Sequence, residues 1–418
     1  MHHRTEYERF ASRESIVANQ KAGIWDAEAF ARLVNAARDK GRVSGLTHKF
    51  YRYPARFSPQ FVRAVIEQFT SPGDLVFDPF MGGGTTLVEA IALGRSAIGN
   101  DISSLATFVS KAKTLVFSDE EFQCLERWAS KLKVNINIHN PSISSKDYVD
   151  AGYHKHLGSN LTWRLRKAME QAIATAVNLP TKKVEAFARC VVLRTGQWAL
   201  DGRKQLPTVD QFREAMRLHA SEMIRGAREL RIAVSSHDAF APTATCLNQS
   251  IVGLEKKNPC RGVGPKLVLT SPPYPGVHVL YHRWQVDGRK ETAAPFWIAN
   301  KLDGSGAAYY TLGDRHAKDN WTYFEGLRSA LTSVARICNE DTTIVQVVAF
   351  SNPAKQLPLY LEVAEEAGFL ELPSPFVSGN DDGRLWRTIP NRKWHAGQLG
   401  DIPASQEVVL FHRKSNQR

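Results

Sequence analysis

The chain has 418 residues, 43% hydrophobic and 23% charged, enough for one large domain with an insertion or for two domains, each with its own core. No run of about 18 apolar residues occurs, so no membrane span is expected; the opening "MHHRTEYERFASRE" lacks an apolar stretch, so no secretory leader is expected either. Five scattered cysteines without CxxC spacing argue against a zinc site or a disulfide framework and for a reducing cytoplasm, while 54 Lys and Arg against 42 Asp and Glu leave a net +12 that favours polyanions, nucleic acid first.

Residues 1–47 read as a polar lead-in, in which "AEAFARLVNAARDKG" has the apolar spacing of a helix and a glycine stop. The aromatic, basic stretch "THKFYRYPARFSPQFVRAVIEQF" follows, with a helix expected to start after Ser58 as cap and Pro59 in the first turn. "LVFDPF" is a short apolar strand running into "MGGGTT", "LVEAIALG" is a helix, and "SAIGNDIS" is a strand that ends in Asp101. Strand, glycine turn, helix and strand make half of a doubly wound sheet. Across 118–242 the strand signal fades into basic helical sequence, with fifteen Lys and Arg against eight Asp and Glu between Ala151 and Phe240. Strands return at "KLVLT", "TTIVQVVAF" and "EVVLFHR". The predicted fold is α/β: a doubly wound, mostly parallel, Rossmann-like sheet over 48–117 and 243–418, interrupted by a helical insertion at 118–242.

Two stretches carry chemistry. In "FDPFMGGGTT" three glycines separate a strand from a helix, so a ligand can lie against bare backbone beside unpaired helix N–H groups. Asp101, at the end of the next strand, is placed to take ribose hydroxyls. Neither GxGxxG nor GxxxxGK[ST] is present, and the carboxylate of Asp78 before the glycines suits a cationic ligand better than a pyrophosphate. S-adenosylmethionine, with its ammonium and sulfonium, meets that requirement; a purely structural glycine turn is the alternative. In "LTSPPYPG" two prolines stiffen a strand end and remove N–H donors. An exocyclic base amine needs acceptors on its hydrogens before it can attack a methyl group. Ser271 and the Pro272 carbonyl supply such acceptors, and Tyr274 supplies a stacking face; a proline-rich loop ahead of a core tyrosine is the plainer alternative.

Together these motifs resemble the S-adenosylmethionine-dependent amino-methyltransferases of DNA, and "TSPPY" resembles their serine form associated with N4-cytosine methylation. "KFYRYPARFSPQFV" is similar to the aromatic segment ahead of the cofactor motif, and "IGNDIS" to the ribose-binding strand end. The resemblance implies cofactor contacts at Asp78, Pro79, Phe80, Gly82, Gly84, Asp101 and Ile102, with Tyr53, Phe57 and Thr85 nearby. It implies that Ser271, Pro272, Pro273 and Tyr274 hold the base, without a metal. The family's usual acidic residue near the cofactor adenine is replaced by Asn248, Gln249 or Ser250.

The expected partner is double-stranded DNA, with a cognate restriction endonuclease allowed and a monomer or weak dimer as the assembly. Recognition is expected mainly in 118–242, through Arg213, Arg217 and Arg225. His282, Arg283 and Trp284 follow the catalytic turn, and Arg387, Arg392 and Lys393 lie in an aromatic, basic loop; each set is a candidate DNA contact or an ordinary loop. The expected reaction flips a cytosine and methylates its N4 amine directly. Adenine-N6 methylation, RNA amine methylation and a non-catalytic DNA-binding partner are the rivals.

Overall fold

A computed structural model describes residues 27–39, 41, 43–52, 57–141, 146–275, 283–288, 290–304, 310, 312, 321–372, 383–388 and 406–415. The main sheet is built from β1 (Leu75–Asp78), β2 (Ser96–Asp101), β3 (Ala244–Asn248), β4 (Leu267–Thr270), β7 (Thr343–Val348), β8 (Phe369–Glu371), β9 (Leu385–Thr388) and β10 (Gln406–Lys414), while β5 (Trp284–Val286) and β6 (Lys290–Thr292) form a separate hairpin. The order is β3-β2-β1-β4-β7-β10-β8, with β9 also pairing on β10. The first five strands run parallel and β10 runs antiparallel to β7. This is a doubly wound, mostly parallel, Rossmann-like sheet.

The central strands β1, β4 and β7 are mostly apolar and buried because both faces are covered. Val76, Leu267, Leu269 and Val345 point to one core, and the alternate residues Phe77, Val268 and Ile344 point to another. Helices α1 (Ala27–Arg38), α2 (Pro59–Phe69) and α3 (Thr85–Ala92) supply the first core. The start of α2 at Pro59 matches the sequence, but the Ser58 hydroxyl caps nothing; the fixed φ of proline sets that first turn. Helix α4 (Ser104–Lys113) follows β2.

Among the described residues, five α-helices then occupy the insertion: α5 (Asp119–Asn135), α6 (Lys146–Asp150), α7 (Trp163–Val177), α8 (Lys182–Leu200) and α9 (Val209–Ser235). Reciprocal capping boxes start two of them, Ser118 with Glu121 at α5 and Thr208 with Gln211 at α9. Their core takes in residues from outside 118–242, among them Tyr51, Phe108, Trp284 and Trp297, the last on α10 (Ala294–Ala299). Of the two readings of Trp284, a DNA contact or an ordinary loop residue, the structure has the second. It is buried, its Nε1 donates to Tyr51 Oη at 3.0 Å, and a Cβ on Gly196 would come within 2.7 Å of its ring. Helices α11 (Trp321–Ile337) and α12 (Pro353–Glu366) cover the second face of the sheet. Among the described residues no helix is long and apolar enough to cross a membrane.

Candidate active site

The chain passes from β1 outward to β2 and β3, then crosses back to place β4 on the other side of β1. A crevice opens at such a switch point, outside the carboxyl ends of the strands. Asp78 ends β1 and Thr270 ends β4, and the Thr270 hydroxyl donates to Asp78 Oδ1 at 2.8 Å. The two motifs singled out in the sequence, 192 residues apart at these positions, are therefore joined side by side.

Asp78 is 2% exposed. Burial pushes its carboxyl up to about 7, against the opposing pull of hydrogen bonds from Thr270 and the Phe80 N–H. A cation brought to this carboxylate would relieve that desolvation. Pro79 is buried, and Phe80 packs at the edge of the second core. The turn beyond is held by its own backbone: Met81 N donates to Asn100 O at 3.0 Å and Gly84 N to Met81 O at 2.7 Å. Gly82 N donates to Asp101 Oδ2 at 2.9 Å, and Ser103 N donates to Asp101 Oδ1 at 2.8 Å. Burial raises the Asp101 carboxyl to about 6. Gly84 has φ +71, and a Cβ there would come within 2.6 Å of Ser110 Oγ, so glycine is required for conformation and for space.

Helix α4 braces the turn from behind, where Ser110 Oγ donates to Gly82 O at 3.0 Å and the buried Lys113 Nζ donates to Gly83 O at 2.5 Å. Thr85 opens α3 and is buried, and Ile102 packs against the insertion core. Phe57 is 8% exposed, with its ring 6.1 Å from that of Phe61. Tyr53 lies outside the described residues. Asn248 Nδ2 donates to the carbonyls of Asp101 and Ile102 at 2.9 and 3.0 Å, which makes it a clamp on the end of β2. Gln249 pairs with Lys257, and Ser250 Oγ accepts from Val252 N.

On the other side of the crevice, the Ser271 hydroxyl lies 2.9 Å from Tyr274 Oη and 3.0 Å from the Val347 carbonyl. Tyr274 Oη donates to Glu407 Oε1 at 2.7 Å, and its ring packs on the second core. The Pro273 carbonyl accepts from Tyr323 Oη at 3.0 Å. Two strands and a helix far along the chain thus fix the turn. Lys113, Ser110, Tyr323 and Glu407 were not foreseen. The signal for Glu407 is a carboxylate opening the apolar strand "EVVLFHR", an arrangement that burial would penalise without partners.

The basic candidates divide. Arg387 is corrected from a DNA contact to an internal one: it is 11% exposed in its side chain, holds Glu407 Oε2 through Nε at 2.8 Å and through Nη2, and lies over the Phe61 ring. A guanidinium used in this way is not available to a phosphate. Arg283 forks onto Asp303 at 3.0 and 2.7 Å. Arg213 donates to Ile136 O and to Asp210, and Arg217 pairs with Glu214. Arg225 stands 72% exposed, 3.9 Å from Glu229. His282, Arg392 and Lys393 lie outside the described residues.

Residues 7–109 match the family model described as DNA methylase. Among curated proteins, the chain is 44% identical over 72 residues to the type II methyltransferase M.MvaI of Kocuria varians, covering 16% of each chain. It is 39% identical over 96 residues to M.BsoBI of Geobacillus stearothermophilus, covering 22% of this chain and 18% of that one. It is also 38% identical over 66 residues to the DNA adenine methyltransferase YhdJ of Escherichia coli, covering 16% and 22%. The chain therefore spans less than a quarter of the length of each of these relatives. Among solved structures, an rRNA methyltransferase of Streptomyces viridochromogenes aligns over 90% of this chain and 92% of its own at 11% identity and a TM-score of 0.34, too loose a likeness to carry weight.

Proposed function

We propose that the chain is an S-adenosylmethionine-dependent amino-methyltransferase of DNA and that it methylates the exocyclic N4 amine of a cytosine flipped out of duplex DNA. The observation that carries the proposal is the Thr270–Asp78 hydrogen bond, which sets the cofactor turn and the Ser-Pro-Pro-Tyr turn on adjacent strand ends. S-adenosylmethionine fits the first turn by chemistry: buried carboxylates at Asp78 and Asp101 answer its cationic end and its ribose, and the half-buried Gly82 brings no side chain between them. When bound it supplies an activated methyl group.

The protein's own part is to hold and orient. Ser271 Oγ and the Pro272 carbonyl, to which no described residue donates, accept the two amino hydrogens and draw the nitrogen towards tetrahedral geometry. Fixed acceptors of this kind need no reorganisation during transfer. Flipping exposes an amine that otherwise faces its pairing partner, at a cost of a few kcal/mol. The surplus proton on the methylated nitrogen leaves to solvent.

Target recognition is assigned to 118–242, where an open groove between α5 and α7 is lined by Arg127, Lys131, Asn135, Asn137 and Gln171. Such a lining suits phosphates and base edges. A restriction endonuclease as companion, and a monomer or weak dimer as the working form, belong to the same proposal. Adenine-N6 methylation is the second reading, favoured by the likeness to a protein named for adenine. Expression in a host without DNA methylation, followed by sequencing that separates N4-methylcytosine from N6-methyladenine, tests both. N4-methylcytosine in one short motif is expected. N6-methyladenine would transfer the same geometry to adenine, and an unmarked genome despite folded, cofactor-binding protein would sink the reaction itself.

A further inference from the structure

A serine hydroxyl can donate one hydrogen bond and accept two. To receive an amino hydrogen from a base, Ser271 must commit its own hydrogen elsewhere. Both groups beside it are arranged to take that hydrogen. The Val347 carbonyl, 3.0 Å away, can only accept. Tyr274 Oη, 2.9 Å away, could in principle donate to Ser271, but its hydrogen is drawn to Glu407 Oε1 at 2.7 Å. A carboxylate has no hydrogen to give, so Tyr274 donates to Glu407 and not to Ser271, whose single hydrogen goes to Tyr274 Oη or to the Val347 carbonyl and whose two lone pairs stay open. Arg387 closes the far end: its donors occupy Glu407 Oε2, and side chains exposed by 11% and 8% keep the pair out of water.

We propose that Glu407 is a positioning residue that fixes Ser271 as a hydrogen-bond acceptor and so selects a base bearing an amine over one bearing a carbonyl at the same position. An acceptor at Ser271 complements the N4 amine of cytosine and opposes the O4 of uracil; a donor at Ser271 would reverse both. The inference rests on Ser271 and Tyr274 holding the base, and it adds the reason that a charged pair is buried beneath them. Such a pair is a weak source of stability when desolvated, whereas by holding the Tyr274 hydrogen it leaves both lone pairs of Ser271 to the base.

Glu407→Gln keeps the size of the side chain and tests the idea. The donors of Arg387 will hold the amide oxygen, so the amide N–H turns to Tyr274, whose hydroxyl then donates to Ser271. Duplexes carrying the methylation motif, with cytosine or uracil at the target position, are titrated in the presence of S-adenosylhomocysteine; adenine and hypoxanthine replace them if the mark falls on adenine. The preference of wild type for the amine-bearing duplex is expected to fall about tenfold in Glu407→Gln, with single-turnover transfer reduced by a similar factor and cofactor affinity unchanged. Tyr274→Phe removes the hydroxyl without touching the Glu407–Arg387 pair and leaves Ser271 donating to the Val347 carbonyl, so it should keep the preference; in that background Glu407→Gln should add nothing. Unchanged preference in Glu407→Gln overturns the inference, and so does an undiminished effect of Glu407→Gln in the Tyr274→Phe background. If wild type marks no DNA, the proposed function fails beneath it; if wild type marks DNA and Glu407→Gln behaves as wild type, the positioning role alone is lost.

Discussion

The two halves of the crevice are built in different ways. The cofactor turn draws its supports from nearby sequence: Asp101, Ser110 and Lys113 reach the glycines across 19, 28 and 30 residues. The Ser-Pro-Pro-Tyr turn draws on Tyr323, Val347 and Glu407 across 50, 76 and 133 residues. A strand–turn–helix–strand unit can assemble its own glycine cradle once the strands pair. The base-side turn acquires its geometry only after β7, β10 and α11 have packed against β4. Damage to the first half should therefore appear in cofactor binding, and damage to the second in transfer with cofactor binding intact.

The sharpest break between the halves is Ser271→Ala. Loss of a fixed acceptor at the reacting nitrogen should reduce single-turnover transfer by about a hundredfold or more, while calorimetry finds cofactor affinity unchanged. Parallel loss of both would mean that the halves are not separable.

The cofactor half has its own signature, in pH. Asp78 in the free protein titrates at about 7, and a bound cation requires its ionised form. Binding must then expel a proton below that pH, so affinity falls as pH drops through 7 and levels off above it. Between about pH 7.5 and 6 the decrease should be about eightfold. Asp78→Asn should bind more weakly and respond less to pH; a wild-type affinity flat across this range would remove Asp78 from the cation's contacts.

A smaller effect separates support from chemistry. Tyr323→Phe deletes the donor to the Pro273 carbonyl and should cost about 1 kcal/mol of stability in denaturant titration, with transfer reduced severalfold and cofactor affinity unaltered. Loss of cofactor binding in this variant would show that the distant support serves both halves.

The smallest effect lies in the insertion. Arg225 is 72% exposed, whereas Arg213 is taken up by Ile136 O and Asp210. Arg225→Ala should lower the slope of log affinity against log salt by about 0.9, and Arg213→Ala by less. Equal slopes for wild type and Arg225→Ala would move the phosphate contacts elsewhere.

Asp78, the glycines, Asp101 and Ser-Pro-Pro-Tyr were legible in sequence because each is a local requirement. A positive φ, a strand end or a stiffened turn must be written by adjacent residues. The apolar strands and the basic helical stretch were legible for the same reason, since a strand buried on both faces reads as a continuous apolar run and a helix repeats every 3.6 residues. The partnership of Tyr274 with Glu407, the anchoring of Pro273 by Tyr323 and the burial of Trp284 against Gly196 were decided by tertiary structure alone. So was the fate of the arginines: Arg387 and Arg225 look alike in sequence, yet one lies under the active-site turn and the other in solvent. Charge and aromaticity state what a side chain can do; only the topology that brings β10 and β4 to the same end of the sheet determines which partner it meets.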